Sequence, residues 1–334
     1  MDLYPLTFVP LFKARVWGGR RLASLYGKPL PPGVRVGESW EIADRPGDES
    51  VVANGPLAGK SLRWLMVHAP EALLGRARPL RGRFPLLVKL LDAHDRLSVQ
   101  VHPPAPVAAR LGGEPKTEMW FVTHAEPGAE LFVGLRRGVS RERFVAALAA
   151  GKVAECLHRV EVREGDAMLV PSGRVHAIGA GSVLFEIQEN ADTTYRVFDW
   201  NRLGLDGRPR ALHIAQSLAS IDFDDHEPPL LRQEPGSAAA GRRLLAAAPS
   251  FRVEYWPFVA GVPQALALEA CVALLAVVRG ALQVVAPHGE VTLSAGTCCL
   301  LPACCDPVRV VPRRDGAFLL ARPAVESGSS EALP

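Results

Sequence analysis

The stretch Leu97–Trp120, LSVQVHPPAPVAARLGGEPKTEMW, constrains this chain more than any other. It opens with strand formers in which Gln100 and His102 are separated only by Val101. Alternate side chains of a strand share a face, so these two polar groups point the same way. Pro103-Pro104 ends the strand, a loop with Gly112-Gly113 follows, and Lys116 and Glu118 alternate at the head of an apolar run. That second pair also shares one face. A Gln, a His and a Glu converging from two adjacent strands supply three donors of a metal site. His176 offers a fourth, just past the corner of Gly165-Asp-Ala-Met-Leu-Val-Pro171-Ser-Gly173-Arg-Val. A ligand held on a rigid element loses little entropy when it binds an ion.

The remainder reads as mainly β with short helical segments. Residues 1–60 are short strands punctuated by Pro and Gly. Trp17-Gly18-Gly19 and Glu38-Ser39-Trp40-Glu41 set polar groups beside aromatics, which suits either a sugar site or the closed end of a β-sandwich. Ser61 caps a helix in SLRWLMVHAPEALLG that Pro70 kinks or splits. Ser140 caps a second, SRERFVAALAAG, stopped at Gly151. FPLLVKLLDA is an apolar strand whose Lys89 either snorkels to an edge or enters a polar cavity. FVTHAEPGAELFVGL is expected to be a hairpin turning at Pro127-Gly128. Later, VLFEIQENADTTYRVFDWNR carries Glu186, Asp192 and Arg196.

An internal repeat is visible. Gly165-x5-Pro171-x-Gly173-x2-His176 matches Gly296-x5-Pro302-x-Cys304-x2-Pro307, each copy lying between apolar strands. Proline offers no side-chain ligand, so only the first copy is expected to hold metal. With a Pro-, Gly-, Ala- and Arg-rich connector over 230–248, two domains are expected: 1–235, catalytic, and 236–334, a degenerate metal-free partner. The last residues, AVESGSSEALP, read as a frayed tail.

A chain of 334 residues that is 48% apolar can bury a large core, and a net charge of +3 with scattered basic residues shows no nucleic-acid stripe. No apolar run reaches the length of a membrane span, and the N-terminus lacks a signal-peptide pattern. The six cysteines, 156, 271, 298, 299, 304 and 305, are expected to be reduced thiols of a cytoplasmic protein.

The two motif copies are similar to those of cupin barrels, which implies two jelly-roll barrels. LSVQVHP, KTEMWFV, VPSGRVHAIGAG, EIQENADTTYRVFDW, FPLLVKLLDA and ESWEIADRP together resemble the type I phosphomannose isomerases. The likeness covers residues 1–225 and reaches the C-terminal part only in outline. With about sixty residues between Glu118 and His176, the chain resembles the short bacterial form. The resemblance implies one zinc ion per chain on Gln100, His102, Glu118 and His176. It implies interconversion of mannose 6-phosphate and fructose 6-phosphate through an enediol. Arg196, Lys116, Asp192 and Glu186 match catalytic positions, and Lys89 and Ser98 match positions associated with phosphate. A lysine beside a divalent cation would exchange protons near neutral pH, so Lys116 and Glu186 are both candidate bases. The expected partner is a small sugar phosphate, the expected state a monomer or homodimer. Two competing readings are a metal-dependent oxygenase of the cupin type and a non-catalytic sugar-binding bicupin.

Overall fold

The computed structural model describes residues 2–232 and 241–325. Strands dominate it, and they fall into two compact units that are discontinuous in sequence.

The unit formed by residues 10–41 and 87–239 carries the motifs. Its first sheet has six strands, in the order Ala167–Val170, Glu118–Ala125, Ser182–Glu189, Leu86–Ala93, Val36–Ile42, Leu11–Gly19. Its second has five, in the order Leu157–Glu161, Glu130–Leu135, His176–Ile178, Val99–Val101, Tyr195–Phe198. The alternation read from the sequence is what divides their faces. Val99 and Val101 pack outward with Phe144, Val153 and Leu157, beneath the helix Arg141–Ala149. Gln100 and His102 point the other way. A slip of one residue would exchange valines for polar groups, at about 2 kcal/mol or more for each misplaced side chain, which fixes the register. Between the sheets lies a core that includes Trp17, Leu91, Trp120, Leu131, Val133 and Ile178.

Two strand rows position the polar side chains. His176 is opposite Gln100, and Gln100 is opposite Arg196, so these three form one row across the five-stranded sheet. In the six-stranded sheet Glu118 is opposite both Val170 and Gln188, and Trp120 is opposite Glu186.

The hairpin expected over residues 121–135 does not form. Glu118–Ala125 pairs within the six-stranded sheet and Glu130–Leu135 within the five-stranded one. Pro127-Gly128, with Gly128 at φ 81°, turns the chain from one sheet to the other. A tight turn was legible, but each of its strands is paired on both sides within a different sheet.

The other unit comprises residues 1–9, 42–86 and 240–334. Its seven-stranded sheet is built around the long strands Ala273–Ala286 and Val308–Pro323. Pro70 does split the first helix, into Leu62–His68 and Pro70–Leu74, and the Ser61 hydroxyl accepts the Trp64 N–H at 3.0 Å. A single cut at 235/236 was expected, and that point lies outside the described residues, as does most of the tail. N-terminal segments join this unit through backbone pairing: Leu6 exchanges hydrogen bonds of 2.9 and 2.8 Å with Leu300, and Gly75 bridges Cys271.

The internal repeat is structural as well as sequential. Gly165 (φ 90°) gives its N–H to Val122 at 2.8 Å, and Gly296 (φ 80°) gives its own to Val277 at 2.9 Å. The strand after each glycine then pairs antiparallel, Val170 with Glu118 in one copy and Leu301 with Ala273 in the other. The described strands form open sheets, with no closed barrel seen. No helix among the described residues is long and apolar enough to cross a membrane.

Candidate active site

Three of the four expected metal donors are completely enclosed: His102, Glu118 and His176 are each 0% exposed. Their nearest donor atoms all lie within 4.8 Å of one another. His102 Nε2 is 3.5 Å from Glu118 Oε2, and His176 Nε2 is 3.4 Å from Glu118 Oε1. Gln100 completes the set, its amide nitrogen 3.2 Å from His176 Nε2. Amide oxygen and nitrogen exchange places by a half-turn, and a half-turn here would direct the oxygen at the cluster and the NH2 at Ser98 Oγ, now 3.3 Å from Gln100 Oε1.

The hydrogen bonds behind the imidazoles decide what the cluster can hold. His102 Nδ1 lies 2.9 Å from the Thr193 carbonyl, and His176 Nδ1 lies 2.9 Å from the Arg174 carbonyl. A carbonyl accepts only, so each Nδ1 carries the proton and each Nε2 of a neutral ring presents a lone pair. Burial pushes His176 down to about 3 against the pull of Glu118, so this ring is neutral. Burial also works against the Glu118 charge, yet the Lys116 ammonium holds its carboxyl well below the usual range. The result is the His176 lone pair facing an ionised carboxylate. His102 Nε2 and both Glu118 oxygens make no hydrogen bond among the described residues, although Lys116 Nζ sits 2.8 Å from Glu118 Oε2 as an ion pair. Orphaned acceptors of this kind are costly in an interior unless a cation lies among them. The donor set suits a divalent ion that takes imidazole nitrogen and carboxylate or amide oxygen.

Gln100 and Lys116 form the wall between this cluster and a cavity of about 580 Å³. The remaining sequence candidates all reach that cavity: Lys89, Ser98, Glu186, Asp192 and Arg196. Lys89 resolves the choice left open by the sequence, since it is 5% exposed and turned inward. Its ammonium donates to Glu186 Oε1 at 2.8 Å and lies 5.2 Å from the centre of the Trp40 ring. Glu186 also accepts the Trp120 indole N–H at 3.1 Å, and Lys116 stands 3.9 Å away. Charges therefore alternate along the wall, through Glu38, Lys89, Glu186 and Lys116, and on to Glu118 behind it. Burial lowers the affinity of Lys116 for its proton, but Glu118 and Glu186 outweigh it and raise the pKa above the ordinary lysine value. Asp192 is exposed, and its backbone N–H donates to Glu114 at 3.0 Å. Arg196 Nη1 donates to the Ala211 carbonyl at 2.8 Å, while its buried Nε has no hydrogen-bond partner among the described residues.

Several lining residues were not among the candidates. Trp17 and Glu38 belong to the aromatic–polar pairs noted above, and both line the cavity. Gly18 and Gly37 permit this, because a Cβ on Gly18 would lie 2.4 Å from the Gly37 nitrogen. Arg15 donates to Glu38 at 2.7 Å, and together with Lys89 it draws the Glu38 carboxyl down to about 2 against the effect of burial. Arg210 arrives on a loop after Arg196 and had no local pattern to mark it.

Comparisons agree with this geometry. Residues 6–112 match the family described as phosphomannose isomerase type I, catalytic domain. The mannose-6-phosphate isomerase ManA of Bacillus subtilis is 42% identical over 228 residues, 66% of this chain and 69% of the relative. A probable mannose-6-phosphate isomerase of the same organism is 40% identical over 220 residues, 65% of this chain and 68% of the relative. Among solved structures, the mannose 6-phosphate isomerase of Bacillus subtilis superposes with a TM-score of 0.82 at 27% identity, covering 96% of this chain and 99% of that one. A mannose 6-phosphate isomerase bound with zinc and yttrium shares the fold, with a TM-score of 0.75 at 19% identity over 97% of this chain and 100% of that one. On these findings the chain belongs to the type I phosphomannose isomerases, a family of aldose–ketose isomerases.

Proposed function

We propose that this protein interconverts mannose 6-phosphate and fructose 6-phosphate, with one zinc ion on Gln100, His102, Glu118 and His176. The observation that carries the reading is the enclosed set of unsatisfied His and Glu acceptors directly behind a cavity of alternating charge. Zinc bound there would polarise the substrate's carbonyl and stabilise the negative charge that develops on its oxygens.

The chain's own residues account for the rest. Moving a proton between C1 and C2 requires a base beside the carbon acid, and the cavity offers Glu186 and Lys116. Glu186 is the better base, because Lys116 is held as an ammonium by the two carboxylates flanking it. In this reading Lys116 donates hydrogen bonds to sugar oxygens and balances the charge of Glu118. Arg196 stands in the same strand row as Gln100, which supports a role for its guanidinium in stabilising the anionic enediolate. Asp192, at the cavity edge, orients sugar hydroxyls. Lys89 and Ser98 shape the wall, Lys89 through Glu186 and Ser98 through Gln100. Trp17 supplies an apolar surface for the sugar ring.

We read the facing five- and six-stranded sheets as one cupin jelly roll and the seven-stranded sheet's copy of the motif as the core of a second. Catalysis is assigned to the first. None of the six cysteines is in a disulfide, which suits the expected cytoplasmic setting.

The test is incubation of metal-analysed protein with mannose 6-phosphate while fructose 6-phosphate is measured. Activity lost on chelation and restored by zinc is expected, as is loss of both metal and turnover in Glu118→Ala. Full activity in metal-free protein would refute the zinc reading, and no turnover in zinc-loaded protein would refute the isomerase reading.

A further inference from the structure

The two imidazoles of the cluster are backed in different ways. His176 Nδ1 donates to the carbonyl of Arg174, two residues earlier in the same corner, so its tautomer is set locally. His102 lies just past the end of Val99–Val101, and its Nδ1 donates to a carbonyl 91 residues away, that of Thr193. Thr193 belongs to no strand. It sits in the segment that joins Ser182–Glu189 to Tyr195–Phe198. A carbonyl delivered by such a segment holds an imidazole only as firmly as the segment itself is held.

The loop before Glu118 holds it. The Glu114 backbone N–H donates to Thr193 Oγ1 at 2.9 Å, and Glu114 Oε2 accepts the Asp192 N–H at 3.0 Å. One residue thus grips two consecutive residues of the segment, through its backbone and through its side chain. Three residues on, the Thr117 N–H donates to Glu189 Oε2 at 2.6 Å, and the Glu189 N–H donates to the Thr117 carbonyl at 3.0 Å. Gln188 Nε2 braces the turn from within, donating to the Glu189 and Ala191 carbonyls, both at 2.8 Å. The approach is close, since a Cβ on Gly113 would meet Tyr195 Oη at 2.9 Å and Thr193 Cγ2 at 3.0 Å. The Thr117–Glu189 contacts continue the pairing of Glu118 with Gln188 and suffice to close that end of the sheet. The Glu114 grip lies beyond them, at the residue whose carbonyl faces His102.

Resting on the metal reading of the cluster, we infer that Glu114 is a positioning residue: it fixes the Thr193 carbonyl, which keeps the His102 proton on Nδ1 and the Nε2 lone pair directed at the ion. Without that carbonyl the proton can move to Nε2, and a protonated Nε2 cannot ligate. Metal affinity is thereby coupled to a residue outside the ligand set. The experiment uses wild type, Glu114→Ala, Glu114→Gln, Thr193→Val and the Glu114→Ala/Thr193→Val double variant. Each is prepared metal-free with histidine labelled in its ring nitrogens, and the tautomers are read by NMR at about pH 8, where neutral imidazole predominates. The resonances of the two ligands are identified from His102→Ala and His176→Ala. Zinc affinity is then measured by competition with a chromophoric chelator. In wild type both rings should carry the proton on Nδ1. In Glu114→Ala and Thr193→Val, His102 should become a mixture of tautomers, while His176, backed by its own corner, stays as it was. Zinc should bind about 10- to 100-fold more weakly, the scale of losing a partner behind a ligand. The double variant should be little weaker than either single one, because both act through one carbonyl. Glu114→Gln keeps an oxygen for the Asp192 N–H and should stay within about threefold of wild type. Unchanged zinc affinity in Glu114→Ala or Thr193→Val, additive losses in the double variant, or weaker binding with the His102 tautomer unaltered would each overturn the inference. So would a His176 ring that loses its tautomer along with His102, which marks a general loosening. If Glu114→Ala does not fold, Thr193→Val, which removes a single hydroxyl acceptor, decides the matter. A wild-type protein that binds no zinc, while its His102 tautomer still follows Glu114, would fail the metal reading alone.

Discussion

Replacing Lys89 by Met separates a structural role for this lysine from a phosphate-binding one. Met keeps most of the volume, so little cavity term is added. What is lost is the charge between Glu186, 2.8 Å away with both side chains 6% exposed, and Glu38. Taking one partner from a buried pair costs about 3–5 kcal/mol. The lower end applies here, because Glu186 keeps the Trp120 N–H and the Lys116 ammonium at 3.9 Å. Glu38 points the same way. Its fall from 4.5 to about 2 corresponds to roughly 3 kcal/mol, with Lys89 the largest of the groups that lower it, ahead of Arg15 and Trp40. A loss of about 3 kcal/mol at neutral pH is therefore expected. The pH dependence has a definite sign. A carboxyl depressed in the folded state stabilises above its unfolded pKa and loses that contribution as pH falls toward the folded value. In Lys89→Met the depression of Glu38 is partly relieved, so the gap from wild type is full above about pH 5 and narrows as the pH falls toward about 2. Urea unfolding in the presence of a chelator, at neutral pH and in mild acid, measures this directly. A variant as stable as wild type at neutral pH, or a gap that widens in acid, would refute the charge-balance argument, whatever happens to KM.

Three further outcomes follow from the same geometry. Arg196→Lys should lower turnover by roughly two orders of magnitude, the scale of one preorganised donor, with metal content and melting temperature near wild type; a fully active or an unfolded variant would make the arginine structural. Of the six thiols, only Cys304 is exposed, and burial raises Cys271 to about 11 and Cys305 to about 12, so native protein should react quickly with one equivalent of a thiol reagent, at Cys304. Metal analysis should return one ion per chain, and a second equivalent site would contradict the assignment made from the repeat.

The cluster was legible because Gln100 and Glu118 sit on strands and His102 and Lys116 on the extended backbone continuing them, where a period of two converts spacing into direction. Gln100 and His102, then Lys116 and Glu118, needed no tertiary knowledge to be placed on common faces. Glu186 was legible only conditionally, since its inward direction depended on a register that the Trp120 pairing settles. Arg15 and Arg210 were not legible. The first lies on an edge strand whose course depends on two glycines packing backbone to backbone, and the second is delivered by a loop whose shape depends on Trp200. The false hairpin at 121–135 has the same origin. A turn is a local property, whereas the choice of pairing partner is made by the whole sheet.

The repeat explains why one copy of the motif can keep a metal while the other cannot. Both glycines adopt the same left-handed turn and bond to a valine of the pairing strand, and the register carries forward from there. Val170 opposite Glu118 corresponds to Leu301 opposite Ala273, so the position of the carboxylate is held by a methyl group. The position of His176 is held by Pro307. Two of four donors are thus absent at matched places, and the apolar environment has closed over the gap: Leu275, Cys299, Leu301 and Cys305 are packed in one core cluster there. With Ala273 and Leu301 fully buried, a carboxylate restored at 273 alone would have no partner and would destabilise the unit rather than recover a site. The turn survives without the metal because its glycine geometry and strand pairing stabilise it independently of any ligand.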